Sequence, residues 1–317
     1  MTADRIDVHQ HIVPRDYADW LRENGVVAPG GRDLPDWSPE TALALMDRHS
    51  IATAILSLST PGTHLGDDGP ARVWARRVND TGADLVREHP DRFGLFATVP
   101  LPDVEGSVRE IAHAYDELNA DGVVLLANSH GIYLGDPRLE PVMAELDQRA
   151  AVAFVHPSDL PGPEVAGIPP FAADFLLDTT RAATNLVLRG VPQRYPNIRF
   201  ILSHAGGFVP YAAHRIAAAI TAETGRNPLE TLADLAGFYF DTALSASPAA
   251  LPSLLAFAEP GHVLFGSDWP FAPDLAVGYF TGQLDAYPGL EDTGRAAINR
   301  GNALDLFPRL AKEYPHR

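Results

Sequence analysis

Four segments of the chain place histidine or aspartate directly after a short apolar run. They are His9-Gln10-His11, His156-Pro157, His204-Ala205-Gly206-Gly207 and Gly266-Ser267-Asp268-Trp269-Pro270. In an extended chain the side chains at positions i and i+2 point the same way, so His9 and His11 can reach one ion. Imidazole nitrogens and carboxylate oxygens bind divalent zinc and similar metals. A metal site in an open catalytic centre is therefore predicted at His9, His11, His156 and Asp268.

His204 is expected to act differently, because four protein ligands nearly fill the coordination sphere of one ion. We predict that it stands beside the metal as an acid, a base or a polariser of a substrate oxygen. A fifth ligand and a helix cap are the alternatives. His64 and His130 fall in loops after the second and fourth apolar runs, where either could contact a substrate.

Eight short apolar runs must position these residues. They lie at 5–9, 51–58, 93–98, 122–126, 151–155, 198–203, 237–241 and 262–265. Most are uninterrupted rather than alternating, which is typical of strands buried on both faces of a parallel sheet. Helical patterns lie between them. Helices are predicted to start at Ser38-Pro39 and Asp136-Pro137, to present one face through Val104, Val108, Ile111 and Tyr115, and to span 70–89, 173–190, 207–222, 247–257 and 273–299.

Strands that alternate with helices in this number predict an α/β fold, a (β/α)8 TIM barrel that occupies 1–317 as a single domain. The alternative is an open, doubly wound sheet, but neither GxGxxG nor GxxxxGK[ST] occurs. In a barrel the catalytic residues lie at the C-terminal ends of the strands. The histidines and the aspartate of the four segments occupy such ends.

Composition excludes several classes of function. The 317 residues contain no cysteine, which removes thiolate nucleophiles, cysteine-bound zinc and iron–sulfur clusters. The 24 Lys+Arg against 41 Asp+Glu give a net charge of −17, and such a chain repels nucleic acids. Neither a signal peptide nor a membrane-length apolar run is present in the sequence. A cytoplasmic protein without membrane or nucleic-acid partners is predicted.

The four segments together resemble motifs of a known family. VHQH, FVHP, LSHAGG and GSDWP, in this order, are similar to the amidohydrolase-2 branch of the amidohydrolase superfamily, which includes aminocarboxymuconate semialdehyde decarboxylase-like and 6-methylsalicylate decarboxylase-like enzymes. The resemblance runs from Ile6 to about Phe307. It implies the metal ligands His9, His11, His156 and Asp268, with His204 as the catalytic histidine beside them.

The same resemblance implies a role for Arg215, which follows His204 at the family's spacing. Its guanidinium would hold a substrate carboxylate, reaching the pocket of a neighbouring subunit in a homodimer or higher homo-oligomer. The alternative for Arg215 is a salt bridge on a helix surface.

The number and type of metal follow from two departures from related enzymes. Members with two metals bridge them with a carbamylated lysine on strand four, but strand four here ends in Leu125-Leu126-Ala127-Asn128 and the sequence has one lysine, Lys312. One divalent metal is therefore predicted. Some decarboxylases of the branch have glutamate where this chain has His9, and the softer imidazole favours zinc over manganese.

The leading hypothesis is non-oxidative decarboxylation of a small aromatic or unsaturated carboxylic acid such as a hydroxybenzoate. Asp268, or a group relayed through His204, would deliver the proton, and Arg215 would anchor the substrate. The candidate apolar walls are Tyr17, Trp20, Trp269 and Phe271. One alternative keeps the site but uses a metal-bound water to hydrolyse a lactone or amide. Another is a binding protein without metal.

Overall fold

Eight parallel strands form the centre of the molecule, confirming the predicted barrel. The computed structural model describes residues 4–163 and 165–312, and the side chain of Lys312 lies outside the described part. Neighbouring strands in the sheet follow chain order. The strands are β1 (Arg5–His11), β2 (Ile51–Ser57), β3 (Phe93–Thr98), β4 (Gly122–Leu126), β5 (Val152–His156), β6 (Arg199–Leu202), β7 (Tyr239–Asp241) and β8 (Val263–Leu264).

Hydrogen bonds between β1 and the segment around β8 close the barrel. The backbone N–H of Val8 donates to the Phe265 carbonyl at 3.0 Å, and the N–H of Asp268 donates to the His9 carbonyl at 2.7 Å. The N–H of His11 donates to the Trp269 carbonyl at 2.7 Å. The first and last strands are thereby joined at the end of the barrel that carries the histidines.

The helices surround the sheet, and their start signals explain several of them. Ser38 accepts a hydrogen bond from the Thr41 N–H while the Thr41 hydroxyl accepts from the Ser38 N–H, a reciprocal cap ahead of Pro39. The helices are α1 (Arg15–Glu23), α2 (Pro39–Arg48), α3 (Asp68–Glu88), α4 (Val104–Asp116), α5 (Glu140–Gln148), α6 (Pro170–Leu188), α7 (Val191–Arg194), α8 (Val209–Thr224), α9 (Pro228–Ala236), α10 (Ala250–Phe257), α11 (Asp274–Asp285), α12 (Asp292–Ala296), α13 (Asn302–Leu306) and α14 (Pro308–Lys312).

Two helix predictions were wrong in extent. The segment 273–299 is not one helix, because α11 ends at Asp285 and α12 begins only at Asp292. Pro288 and Gly289 occupy the break, and proline lacks the N–H that a helix interior requires. Asp136-Pro137 starts a single 3-10 turn, Pro137–Leu139, from which α5 continues.

The interior of the barrel and its bottom form one apolar core. Side chains of the strands, such as Ile6, Phe96 and Phe154, contact Leu306 and Phe307 from the C-terminal helices. The C-terminal helices therefore close the barrel at the end opposite the histidines. A larger core fills the space between the outside of the sheet and the helices. Among the described residues, no helix combines the length and the apolar composition of a bilayer span.

Candidate metal centre and active site

The four predicted metal ligands come together at the C-terminal end of the barrel. His9 and His11 end β1, His156 ends β5, and Asp268 follows β8. One donor atom of each lies within 4.8 Å of the others, and all four residues are buried. Nε2 of His9 lies 3.1 Å from Nε2 of His11, and Oδ1 of Asp268 lies 3.2 and 3.1 Å from these two nitrogens.

The three imidazoles of this cluster are oriented by acceptors outside it. Their Nδ1 contacts are His9 to Asp241 Oδ2 at 2.7 Å, His11 to the Ser57 carbonyl at 3.2 Å, and His156 to the Pro157 carbonyl at 2.8 Å. An Nδ1–H that donates to such an acceptor leaves Nε2 to bind a metal. The rings are thus held as metal-binding histidines are in proteins.

The electrostatics of the cluster also favour a cation. Burial lowers the pKa of His9, but the charges of Asp241 and Asp268 outweigh burial and raise this pKa to about 10. Burial and the charge of His9 lower the pKa of His11. Burial, with the charges of His11 and His9, holds the pKa of His156 well below its ordinary value. A proton on His9 therefore offsets one of the two carboxylate charges, and a divalent cation in its place would offset both.

Asp268 connects the metal ligands to His204. Its Oδ1 faces His9 and His11, and its Oδ2 lies 3.4 Å from Nε2 of His204. Burial raises the pKa of the Asp268 carboxyl, but the charge of His9 and the side-chain contacts with His11 and His204 outweigh it. The pKa consequently lies well below the usual range, and Asp268 is ionised.

Glycines after His204 allow the next segment to approach closely. His204 and Ala205 have φ angles of 52° and 56°, in the left-handed region, and Gly206 and Gly207 follow at 73° and 63°. A Cβ on Gly207 would lie 2.1 Å from the Leu176 carbonyl oxygen. Nδ1 of His204 is buried and has no hydrogen-bond partner within residues 4–163 and 165–312.

Asp241 is a site residue that the sequence analysis missed. It ends β7 and is fully buried. Oδ2 contacts Nδ1 of His9, and Oδ1 accepts hydrogen bonds from the backbone N–H groups of His204 and Ala243, both at 2.9 Å. The signal was available, because Asp241 is the last residue of a predicted strand, as His9 is.

Asp7 supports the site from behind and was also missed. Its carboxylate accepts hydrogen bonds from the Ser267 hydroxyl at 2.6 Å and from the N–H groups of His9 and Ser267 at 3.0 Å. It thereby joins β1 to the segment that carries Asp268. Burial raises the pKa of Asp7 to about 6, despite these hydrogen bonds.

Comparison with known proteins identifies the family. Residues 6–309 match the amidohydrolase family. The chain is 38% identical to 6-methylsalicylic acid decarboxylase of Penicillium expansum over 315 residues, 96% of this chain and 97% of that protein. A crystal structure described as an amidohydrolase II superposes with a TM-score of 0.91 at 32% identity, covering 96% and 99% of the two chains.

The chain belongs to the amidohydrolase family. Its relatives make it a metal-dependent decarboxylase of that family rather than a hydrolase. A manganese-bound dihydroxybenzoic acid decarboxylase from Polaromonas sp. JS666 shares the fold, with a TM-score of 0.79 at 23% identity over 97% of each chain. The buried cluster accordingly supports one divalent metal in this amidohydrolase.

A cavity of about 170 Å³ adjoins the cluster in this amidohydrolase. His156, His204 and Asp268 form its base. Its other walls include aromatic and aliphatic side chains and a few polar groups, among them Phe171, Phe175, Leu176, Leu244, Phe271, Arg32, Ser59, Thr60 and Ser245.

Of the four predicted apolar walls, Phe271 lines the cavity and the other three were wrong. Tyr17 is buried elsewhere and donates its hydroxyl to the Gly62 carbonyl at 2.6 Å. Trp20 stacks on Trp74 with ring centroids 4.9 Å apart. Trp269 is packed in the core behind the site. Closeness to a motif in sequence was a poor guide, because Tyr17 and Trp20 lie on α1 and pack against the core.

Arg215 and Arg32 of this amidohydrolase differ in their position relative to the cavity. Arg215 is exposed on α8 and does not line the cavity of its own chain. It forms no ion pair with the described residues, so the surface salt bridge considered above is not observed. Arg32, which the sequence analysis did not select, lines the cavity with its guanidinium 4.4 Å above the Phe171 ring. The segment between α1 and α2 that carries Arg32 has no motif that would have revealed it.

Proposed function

We propose that this decarboxylase acts on a hydroxybenzoate with a single ring. The observation that carries the proposal is the cavity of about 170 Å³ that opens directly on His156, His204 and Asp268. An apolar cavity of about 150 Å³ holds benzene, so the space here suits one ring with small substituents. The substrate named for the Penicillium expansum relative, 6-methylsalicylic acid, is of this size and class.

The proposed ligands of the metal are His9, His11, His156 and Asp268. Three imidazoles and one carboxylate form a donor set that suits zinc, and we propose zinc rather than manganese. When bound, the metal supplies positive charge that holds the substrate carboxylate and stabilises negative charge on a neighbouring oxygen. The manganese in the Polaromonas enzyme makes manganese the element to compare.

Residues of the chain itself are proposed to deliver the proton that replaces the carboxylate. The carbon–carbon bond to the carboxylate breaks, CO2 leaves, and the ring carbon retains the electron pair and takes up one proton. Asp268 is ionised and cannot supply that proton unaided. His204, with Nε2 facing Oδ2 of Asp268, is the group that resupplies it. Phe171 and Phe271 exclude water from the reacting carbon.

Substrate anchoring is proposed to involve arginine. Arg215, which does not line the cavity of its own chain, would reach the cavity of a partner chain in a homodimer or higher homo-oligomer. Arg32 lines the cavity of its own chain and provides a second cation for an anionic substrate. A cytoplasmic location remains a prediction.

The test is CO2 release from a panel of hydroxybenzoates, including 6-methylsalicylate, and from muconate semialdehydes. The protein is reconstituted separately with Zn2+ and Mn2+. We expect release from a single-ring hydroxybenzoate, greatest with Zn2+ and abolished by Asp268→Ala. The matched control is Asp292→Asn at the start of α12, which should retain activity. Turnover of lactones or amides without CO2 release would refute the proposal.

A further inference from the structure

A second pair of histidines faces one another outside the active site. His64 lies in the loop between β2 and α3, and His130 lies in a hairpin of Asn128–Ser129 and Ile132–Tyr133 that follows β4. Nδ1 of His64 is 3.1 Å from Nε2 of His130. Neither residue lines the cavity. We propose that this pair is a second, surface site for a divalent transition metal such as zinc.

The separation of the two nitrogens fits a shared ion. Two imidazole nitrogens bound to one tetrahedral zinc lie about 3.3 Å apart. The nitrogens of His64 and His130 show the same 3.1 Å separation as Nε2 of His9 and His11 at the metal centre. The carbonyl oxygen of His64 lies 3.0 Å from Nε2 of His130 and offers a third donor atom.

A carboxylate orients His64 as it would a metal ligand. Oδ1 of Asp68 lies 2.9 Å from Nε2 of His64, so this nitrogen carries the proton. The N–H of Gly66 points at Nδ1 at 3.2 Å, which shows that Nδ1 presents a lone pair. A bound ion would displace the Gly66 N–H from Nδ1 of His64.

The surroundings of the pair also favour a cation. The side chain of His64 is 8% exposed while His130 is exposed, so an ion could enter from solvent and complete its coordination with water. His130 is held at a φ of 51°, and Asn128 Oδ1 accepts the N–H of Gly131 in the same turn. The net charge of −17 raises the local concentration of cations.

The test counts metal in the holoenzyme. The protein, with its resident metal, is equilibrated with Zn2+ and passed through a short desalting column, and total metal per chain is measured by atomic emission. We expect about two equivalents for the natural chain and about one for His64→Ala and His130→Asn. Asparagine suits the left-handed backbone at position 130, so this variant should fold. Asp68→Asn should lower the affinity for the second metal ion about 10- to 100-fold.

The matched control is His113→Ala on α4, where the imidazole lies 3.5 Å from a carboxylate oxygen of Asp80. It removes a surface histidine and should keep both equivalents. CO2 release and retention of the first equivalent show that each variant is folded. One equivalent in the natural chain, or two in both His64→Ala and His130→Asn, would overturn the proposal.

Discussion

At the scale of single residues, Asp241 shows how a carboxylate outside the ligand cluster can determine the properties of the cluster. It binds Nδ1 of His9 through one oxygen and the backbone of His204 through the other. It therefore fixes the tautomer of His9 and the start of the segment that carries His204. Carboxylates in this position strengthen metal binding.

We expect Asp241→Asn to lower metal affinity about 10- to 100-fold, because the amide cannot hold the His9 N–H as a carboxylate does. The measurement is competition between the apoprotein and a chelator of known affinity. Asp292→Asn, a substitution of the same type at the start of α12, should leave the affinity unchanged. An unchanged affinity in Asp241→Asn would mean that His9 is oriented by its other contacts.

The raised pKa of His9 predicts that metal uptake releases a proton. In the metal-free chain His9 remains protonated up to a pKa of about 10, so the metal must displace that proton at neutral pH. Apparent metal affinity should rise about tenfold per pH unit below this pKa. Calorimetric titrations at pH 7 in buffers of different ionisation enthalpy should report about one proton released per metal. Heats independent of the buffer would contradict this prediction.

The sequence predicted which four residues cluster at the barrel end because their signals were local. The i, i+2 spacing of His9 and His11 reports the pleat of one strand, and His156 and Asp268 lie at the ends of other apolar runs. The position of Arg32 at the cavity was not predictable, because it depends on how the segment between α1 and α2 packs against α6. Which of Trp269 and Phe271 faces the cavity depends on that same tertiary packing.

At the scale of elements, burial explains which predictions succeeded. Strands β3 and β4 were predicted with the observed bounds, because both faces of the barrel sheet are apolar. The hairpin after β4 was missed, since strands of two residues are too short to show a pattern. Helix α9 was also missed, although Asn227 caps it ahead of Pro228.

The join between β6 and α8 depends on the small size of Gly207. A Cβ there would meet the backbone of α6 at 2.1 Å, and the φ of 63° disfavours other residues. We expect Gly207→Ala to lower the free energy of unfolding by more than about 3 kcal/mol, since strain and overpacking add. Denaturation by urea measures this change.

Gly225→Ala at the end of α8 is the matched control. Its φ is 73°, but a Cβ would meet nothing within 4 Å. It should cost only about 1 to 2 kcal/mol, the penalty of the left-handed conformation. Equal losses in the two variants would show that contact with α6 is unimportant.

At the scale of the whole molecule, the proposed action of Arg215 in a partner's site can be tested by mixing inactive variants. Arg215→Ala and His204→Ala should each be inactive, and a mixture refolded together in equal amounts should recover about a quarter of natural activity. Half of the dimers then carry both variants, and each of these has one complete site. The measurement is CO2 release before and after mixing.

A matched mixture of His204→Ala with Asp268→Ala tests the specificity of this recovery. Both substitutions lie in one chain's own site, so no hybrid dimer contains a complete site and no activity should return. Failure of the Arg215→Ala mixture to recover would place Arg215 outside the partner's site.

The closure of β1 against the segment after β8 has a consequence for folding. His9 and Asp268 stand near opposite ends of the chain, and Leu306 and Phe307 must fill the barrel beneath them. Contacts so distant in sequence close a large loop and form late. A ribosome would therefore have synthesised nearly the whole barrel before the metal-binding pocket existed, so metal capture marks the end of folding and cannot nucleate it.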